Sequence, residues 1–144
     1  MKILAIDYGT KQIGIAVSNS AGTIAFPHSI IKNDRLLFTA LRDIIHTENV
    51  EKIIVGKPEY NTQTEFYKSV EKFILDLEKT LPMPIETVDE LLTSESAHKA
   101  SLQKQAKAGR KKTSSTTTPQ QKNRHDLAAV LILENYINAF HTPF

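Results

Sequence analysis

The chain has 144 residues, no cysteine and a formal net charge of +2. That length suits one domain with a single core, and the lack of cysteine excludes disulfides and thiolate metal centres, leaving oxygen or imidazole as the only ligands for a metal. No apolar run approaches the roughly eighteen residues of a membrane span, and the opening stretch is broken by Asp7 too early for a signal peptide, so a cytoplasmic protein is expected.

The first apolar run, Ile3-Leu4-Ala5-Ile6, closes on Asp7; a glycine-containing turn leads to a second run from Ile13 to Val17. The pattern predicts two hairpin-linked strands with an acid at the tip of the first. A carboxylate at the rim of a sheet suits a metal ion, or a phosphate held through one. Asp is also an ordinary turn residue, and one acid does not make a site. Thr23 to Phe26 and Ser29 to Ile31 suggest a third strand interrupted at Pro27, which argues for an edge position or a bulge. Asn33-Asp34 can start a helix with Leu37, Leu41, Ile44 and Ile45 on its apolar face. Lys52 to Gly56 reads as a strand buried on both faces.

Thr62 and Glu65 have capping-box spacing ahead of a helix with Phe66, Val70, Phe73, Ile74, Leu77 and Leu81 on one side, stopped by Pro82 and Pro84. Ile85 to Val88 is a further short strand, followed by Asp89 and Glu90. Thr93-Ser94-Glu95 caps a helix towards Lys107. Residues 108–123, rich in Ser, Thr, Gln and Lys, have too little apolar surface to offset their ordering entropy and are expected to form a mobile loop. The last helix is expected from Asp126, in its first turn, with Leu127, Val130, Leu131 and Ile137 as its pattern.

This order predicts a single α/β domain over residues 1–144: a mixed five-stranded sheet, three antiparallel strands then two parallel, flanked by helices. Asp7 and Glu90 then end strands on one edge, where open α/β sheets bind ligands, and Asp126 starts the last helix. At an effective dielectric of 20, two like charges 4 Å apart cost about 4 kcal/mol. A divalent cation removes that penalty, and oxygen ligands point to Mg²⁺ or Mn²⁺ rather than zinc. Two such ions support phosphodiester hydrolysis. Asp126 could instead favour the helix dipole, Asp89 and Glu90 could be loop acids, and Glu59 is a rival strand-end acid. His125 adjoins Asp126; His28, His46, His98 and His141 read as surface or core histidines. Charge is unevenly spread: between Glu95 and Asp126 there is no acid, but there are Lys99, Lys104, Lys107, Arg110, Lys111, Lys112, Lys122 and Arg124. Such clustering is a footprint for polyanions, although charge runs are commonly solvated surface.

The segment IDYGTKQIGIAVSN resembles the opening of the YqgF (RuvX-type) family, Holliday-junction-resolvase-like proteins also described as pre-16S rRNA nucleases. IIVGKPEYNTQTE, VDELLTS and HDLAAVLIL resemble three further segments of that family, in order and across nearly the whole chain. The resemblance implies an RNase H-like fold and a metal-dependent endonuclease, with Asp7, Glu90 and Asp126 as catalytic metal ligands for Mg²⁺ or Mn²⁺. It aligns Gly9, Gly14, Lys11 and Thr93 with family positions. Lys11, Arg110, Lys111, Lys112 and Arg124 would hold phosphates of the nucleic acid, a ribosomal RNA precursor or branched DNA, for a monomer or weak homodimer without membrane partners. Leu91 departs from the family's usual Arg, Glu59 from an uncharged residue, and the tract from Thr113 to Gln121 is longer and more polar. A Holliday junction resolvase and a non-catalytic nucleic-acid-binding module remain alternatives. The Asp-x-Gly-Thr opening also resembles the sugar-kinase and actin phosphate loop, but those proteins need two large lobes.

Overall fold

The computed structural model describes residues 1–58, 64–89 and 122–141, with side chains of the last segment over 127–140. Its strands are β1 (Ile3–Asp7), β2 (Gln12–Ser18), β3 (Ala25–Lys32), β4 (Lys52–Lys57) and β5 (Ile85–Asp89); its helices are α1 (Leu37–Glu48), α2 (Glu65–Thr80) and α3 (Lys122–His141). The sheet order is β3-β2-β1-β4-β5. β1–β2 and β2–β3 pair antiparallel, while β1–β4 and β4–β5 pair parallel. The expected mixed sheet is therefore present, and the helix expected from Thr93 to Lys107 lies outside the described residues.

Pro27 does not interrupt β3. The strand is continuous, and the register shifts so that Ser29 faces Ile15 while Pro27 faces Ala16, leaving His28 as the extra residue of a bulge. An edge strand tolerates both the missing N–H and the bulge. α1 starts later than Asn33-Asp34 suggests. Asp34 Oδ1 accepts from the Leu36 N–H at 2.9 Å and the Asp34 carbonyl from the Leu37 N–H at 3.1 Å, so Asp34 shapes the preceding turn and does not cap the helix. At its other end Asn49 adopts the left-handed conformation (φ 54°, ψ 48°), and the Val50 N–H returns to the Ile45 carbonyl at 3.0 Å. Thr64, two positions beyond the expected Thr62, caps α2 by accepting from the Tyr67 N–H at 3.1 Å. Thr62 lies outside the described residues.

The sheet has an apolar layer on each face. Leu4, Ile6, Ile13, Ile15, Ile53 and Val55 pack under α1 and α2, against Leu41, Val70, Phe73 and Leu77. On the opposite face, Ile3, Ala5, Ala16 and Ile54 pack under Ala129, Ile132, Leu133, Tyr136 and Ile137 of α3. β4, with Ile53, Ile54 and Val55 wholly buried, has the two-sided burial its sequence predicts.

α3 departs from expectation in two ways. It begins at Lys122, so Asp126 lies in its second turn rather than its first. Its buried face is Ala129, Ile132, Leu133, Tyr136 and Ile137, while Leu127 is 45% exposed and Val130 and Leu131 are half-buried. Residues 127–133 are apolar without a break, so periodicity does not choose a face there. Ala129 permits close approach to the sheet, and Tyr136 reaches a polar anchor: its hydroxyl donates to Glu86 Oε2 at 2.9 Å and also meets Lys52 Nζ, which lies 2.6 Å from the same carboxylate oxygen. The hydrogen bond to Lys52 holds the Glu86 carboxyl below its ordinary range, and the bond to Glu86 raises the Lys52 ammonium.

Candidate active site at the carboxyl edge of the sheet

β1, β4 and β5 are mutually parallel through β4, so their carboxyl ends share one edge. The register brings the ends nearly level: Ile6 lies opposite Val55, Gly56 opposite Val88, and Lys57 opposite Asp89. Asp7 ends β1 opposite Gly14 of β2. Alternation along β1 puts Asp7 on the face of Ile3 and Ala5, beneath α3. Asp7 is 9% exposed, and among the described residues it and Ser18 are the buried polar side chains. Ser18 has an evident structural task, since its Oγ accepts from the Ile3 N–H and donates to the Asn19 carbonyl, both at 2.8 Å. Asp7 is the ionisable one of the two, and a carboxylate at this depth is a suitable oxygen donor for a hard cation.

α3 approaches this acid from the far edge. Tyr136 is anchored where β4 and β5 begin, and the helix lies over β1, β2 and β3. Residue 126 lies about 15 Å of helix towards the N-terminus from that anchor. Its backbone belongs to the same helix, three positions before the fully buried Ala129.

Of the candidate site residues, the structure describes Asp7, Lys11 and Asp89 fully, and Asp89 is the exposed last residue of β5, opposite Lys57, not a loop acid. Lys11 is exposed in the β1–β2 turn at the same edge, and its carbonyl accepts from the Asn33 N–H at 2.9 Å. The backbone of Arg124, His125 and Asp126 is helical, and their side chains lie outside the described residues, as do Glu59, Glu90, Leu91, Thr93, Arg110, Lys111 and Lys112 altogether. Among the described residues no three His, Asp or Glu side chains form a metal-binding group.

Two features at this edge are not legible in the sequence. Lys57 ends β4 with its Nζ 5.2 Å from the centre of the Tyr67 ring and 3.6 Å from Glu71 Oε1. Hydrogen bonding to Tyr67, then the nearby charges, raise its pKa. Tyr8, next to Asp7, joins Phe73 and Phe66 in a ring cluster, with centroids 4.8 and 6.1 Å away. Alternation points Tyr8 to the face opposite Asp7, and only tertiary structure brings these rings together. The first turns of α1 and α2 follow β3 and β4 at this same edge, so their positive dipole ends favour anions there.

Residues 1–139 match the family described as RuvX, Holliday junction resolvase. The chain belongs to the RuvX family. It is 39% identical over 142 residues to a protein of Bacteroides fragilis named "Putative pre-16S rRNA nuclease", covering 94% of this chain and 95% of that one. A protein of the same name from Lawsonia intracellularis is 34% identical over 142 residues, covering 96% and 94%. Among solved structures, the RuvX chain resembles T. thermophilus RuvC in complex with a Holliday junction substrate, with a TM-score of 0.58 at 13% identity over 97% of this chain and 95% of that one. It also resembles the Fowlpox virus resolvase in its Holliday junction DNA complex, with a TM-score of 0.55 at 13% identity over 99% and 100%. At that identity the likeness bears on fold alone, and the fold of this RuvX chain is RNase H-like, as the resemblance implied. No helix among the described residues is long and apolar enough to cross a membrane.

Proposed function

We propose that this RuvX protein is a divalent-cation-dependent endonuclease that hydrolyses phosphodiester bonds of structured RNA in maturation of the 16S rRNA 5′ end. The observation that carries this reading is the placement of Asp7: a buried carboxylate at the carboxyl edge of parallel strands, on the face crossed by α3. Asp7, Glu90 and Asp126 would hold Mg²⁺ or Mn²⁺. An all-oxygen donor set without a thiolate fits either ion. When bound, the cation would supply charge stabilisation at the scissile phosphate and ease the deprotonation of the attacking water. The chain's own side chains do the rest. Lys11 and Lys57 border the edge and neutralise the approaching backbone, and Arg110, Lys111, Lys112 and Arg124 hold flanking phosphates, which position a substrate without reading its sequence.

Purified protein with Mg²⁺ or Mn²⁺ is expected to cut a 16S precursor transcript on the 5′ side of the mature end. Cleavage of four-way DNA junctions with no cleavage of RNA would transfer the assignment to a resolvase. That second reading is favoured by the family's own description and requires paired cuts, hence a dimer.

Replacing Arg110, Lys111 and Lys112 with Gln is expected to weaken RNA binding at low salt. The slope of log affinity against log salt should become shallower by about 2–3, close to one per lost phosphate contact. Titrations between 50 and 300 mM KCl measure the slope, and an unaltered value assigns these three residues to solvated surface.

A further inference from the structure

On the face of the sheet opposite Asp7 a cavity of about 300 Å³ opens between the first turn of α1 and the middle turns of α2, where Ser69, Lys72, Phe73 and Asp76 line it. Tyr8, Phe38 and Phe73 form its aromatic wall, with ring centroids 4.8 Å apart for Tyr8–Phe73 and 6.2 Å for Phe38–Phe73, each pair tilted by 38°. Asn33, Asp34 and Asp76 supply its polar rim, and Lys72 stands beside them. Phe66, 39% exposed and 6.1 Å from Tyr8, extends the ring series outward. The position is built rather than incidental: the Asn33 amide donates to the Gly9 carbonyl at 2.9 Å, fastening the end of β3 to the turn that follows Asp7.

The lining selects a ligand class. A volume at the lower limit of small-ligand sites, about 300–1,000 Å³, suits one flat heterocycle. Aromatic walls favour a π-system. Two carboxylates against one ammonium disfavour a phosphate and favour a neutral group presenting N–H donors, as exocyclic amino groups do. Asp7 and Tyr8 are consecutive, with Cα atoms about 3.8 Å apart, and alternation sends their side chains to opposite faces of the edge. A polynucleotide crossing that edge would put a phosphate on the Asp7 side and an adjoining base on the Tyr8 side.

We propose that this cavity receives one unpaired nucleobase next to the scissile phosphate, and that it prefers bases carrying an exocyclic amino group, adenine, cytosine or guanine, over uracil. The proposal rests on the endonuclease reading for the phrase "scissile phosphate", but base capture is measurable without cleavage. The probe is a set of short single-stranded RNAs, each with 2-aminopurine at one position around the cleavage point, mixed with the protein in EDTA. Stacking on the aromatic wall is expected to quench fluorescence at one position. Tyr8→Leu should abolish the quench and weaken binding of that RNA about tenfold. Ser69→Phe, which adds a bulky side chain to the cavity lining and alters none of Tyr8, Phe38 and Phe73, should abolish it as well, so a folding defect in the first variant does not decide the result. Asp7→Asn should keep it. Equal quenching in wild type and Ser69→Phe, or no quenched position at all, overturns the proposal. A quench in wild-type protein that cuts no RNA even with Mg²⁺ or Mn²⁺ supports base capture and removes the endonuclease reading; efficient wild-type cleavage without any quench does the reverse.

Discussion

Asp7→Asn is expected to reduce cleavage of a 16S precursor by about 10²–10³-fold or more, the loss typical when one electrostatic element that stabilises a transition state is removed. The amide matches the carboxylate in size and can accept a hydrogen bond, so packing at the tip of β1 is conserved. What disappears is one negative charge in a site 9% exposed to water, where screening is weak and attraction for a divalent cation is strongest. Folding should change little: the apolar neighbours Ile6 and Ala5 remain wholly buried, and the melting temperature is expected within about 5 °C of wild type. Two measurements separate site from scaffold. Single-turnover cleavage across a range of Mg²⁺ or Mn²⁺ concentrations reports the cation dependence, and a partial recovery at high metal marks Asp7 as a ligand. Calorimetry reports the fold. Wild-type cleavage by the variant would remove Asp7 from the catalytic site. A large fall in melting temperature would make its role structural.

The sequence made Asp7 legible because the β1–β2 hairpin is written locally: two apolar runs, a glycine-containing turn, and an acid where the first run stops. β4 and the buried side of α2 were legible for the same reason, since Ile53-Ile54-Val55 is continuous and Val70, Phe73, Ile74 and Leu77 repeat at helical spacing. The errors have physical causes. Lys122 and Asn123 look like the end of a polar tract, yet they form the first turn of α3 because helix propensity outlasts apolar periodicity. Leu127, Val130 and Leu131 are as apolar as the residues that are buried. The choice of face was made by the sheet, through Ala129 and the Tyr136 anchor, and no local pattern encodes it. Lys57 and the Tyr8–Phe73–Phe38 rings were invisible in sequence for a simpler reason: they come from four separate elements and meet only in the folded chain.

Leu133→Ala should be the most damaging substitution outside the site. Leu133 is wholly buried between α3 and the sheet, in the layer with Ile3, Ala5, Ala16 and Ile54. Deleting a buried leucine side chain costs about 3–5 kcal/mol through lost transfer energy and the cavity left behind. Against a total stability of about 5–15 kcal/mol for a domain, that is a large fraction. Its effect should not be uniform. Among the described residues α3 is the one helix on its face, so the loss falls on the docking of α3 before it falls on the α1–α2 layer. The anchor at Tyr136 would hold the C-terminal half, because Glu86, with its pKa lowered by Lys52, and Lys52, with its pKa raised by Glu86, both stay charged near neutral pH. The N-terminal half, which carries Asp126, has no comparable bond among the described side chains. Cleavage by Leu133→Ala should therefore fail on warming several degrees before the global melt, and hydrogen exchange in residues 126–133 should rise ahead of that in β1 and β4. Leu75→Ala is the control: at 53% exposure its cost should stay within about 0.5 kcal/mol. Simultaneous loss of cleavage and global structure in Leu133→Ala would show that α3 unfolds only with the rest of the domain.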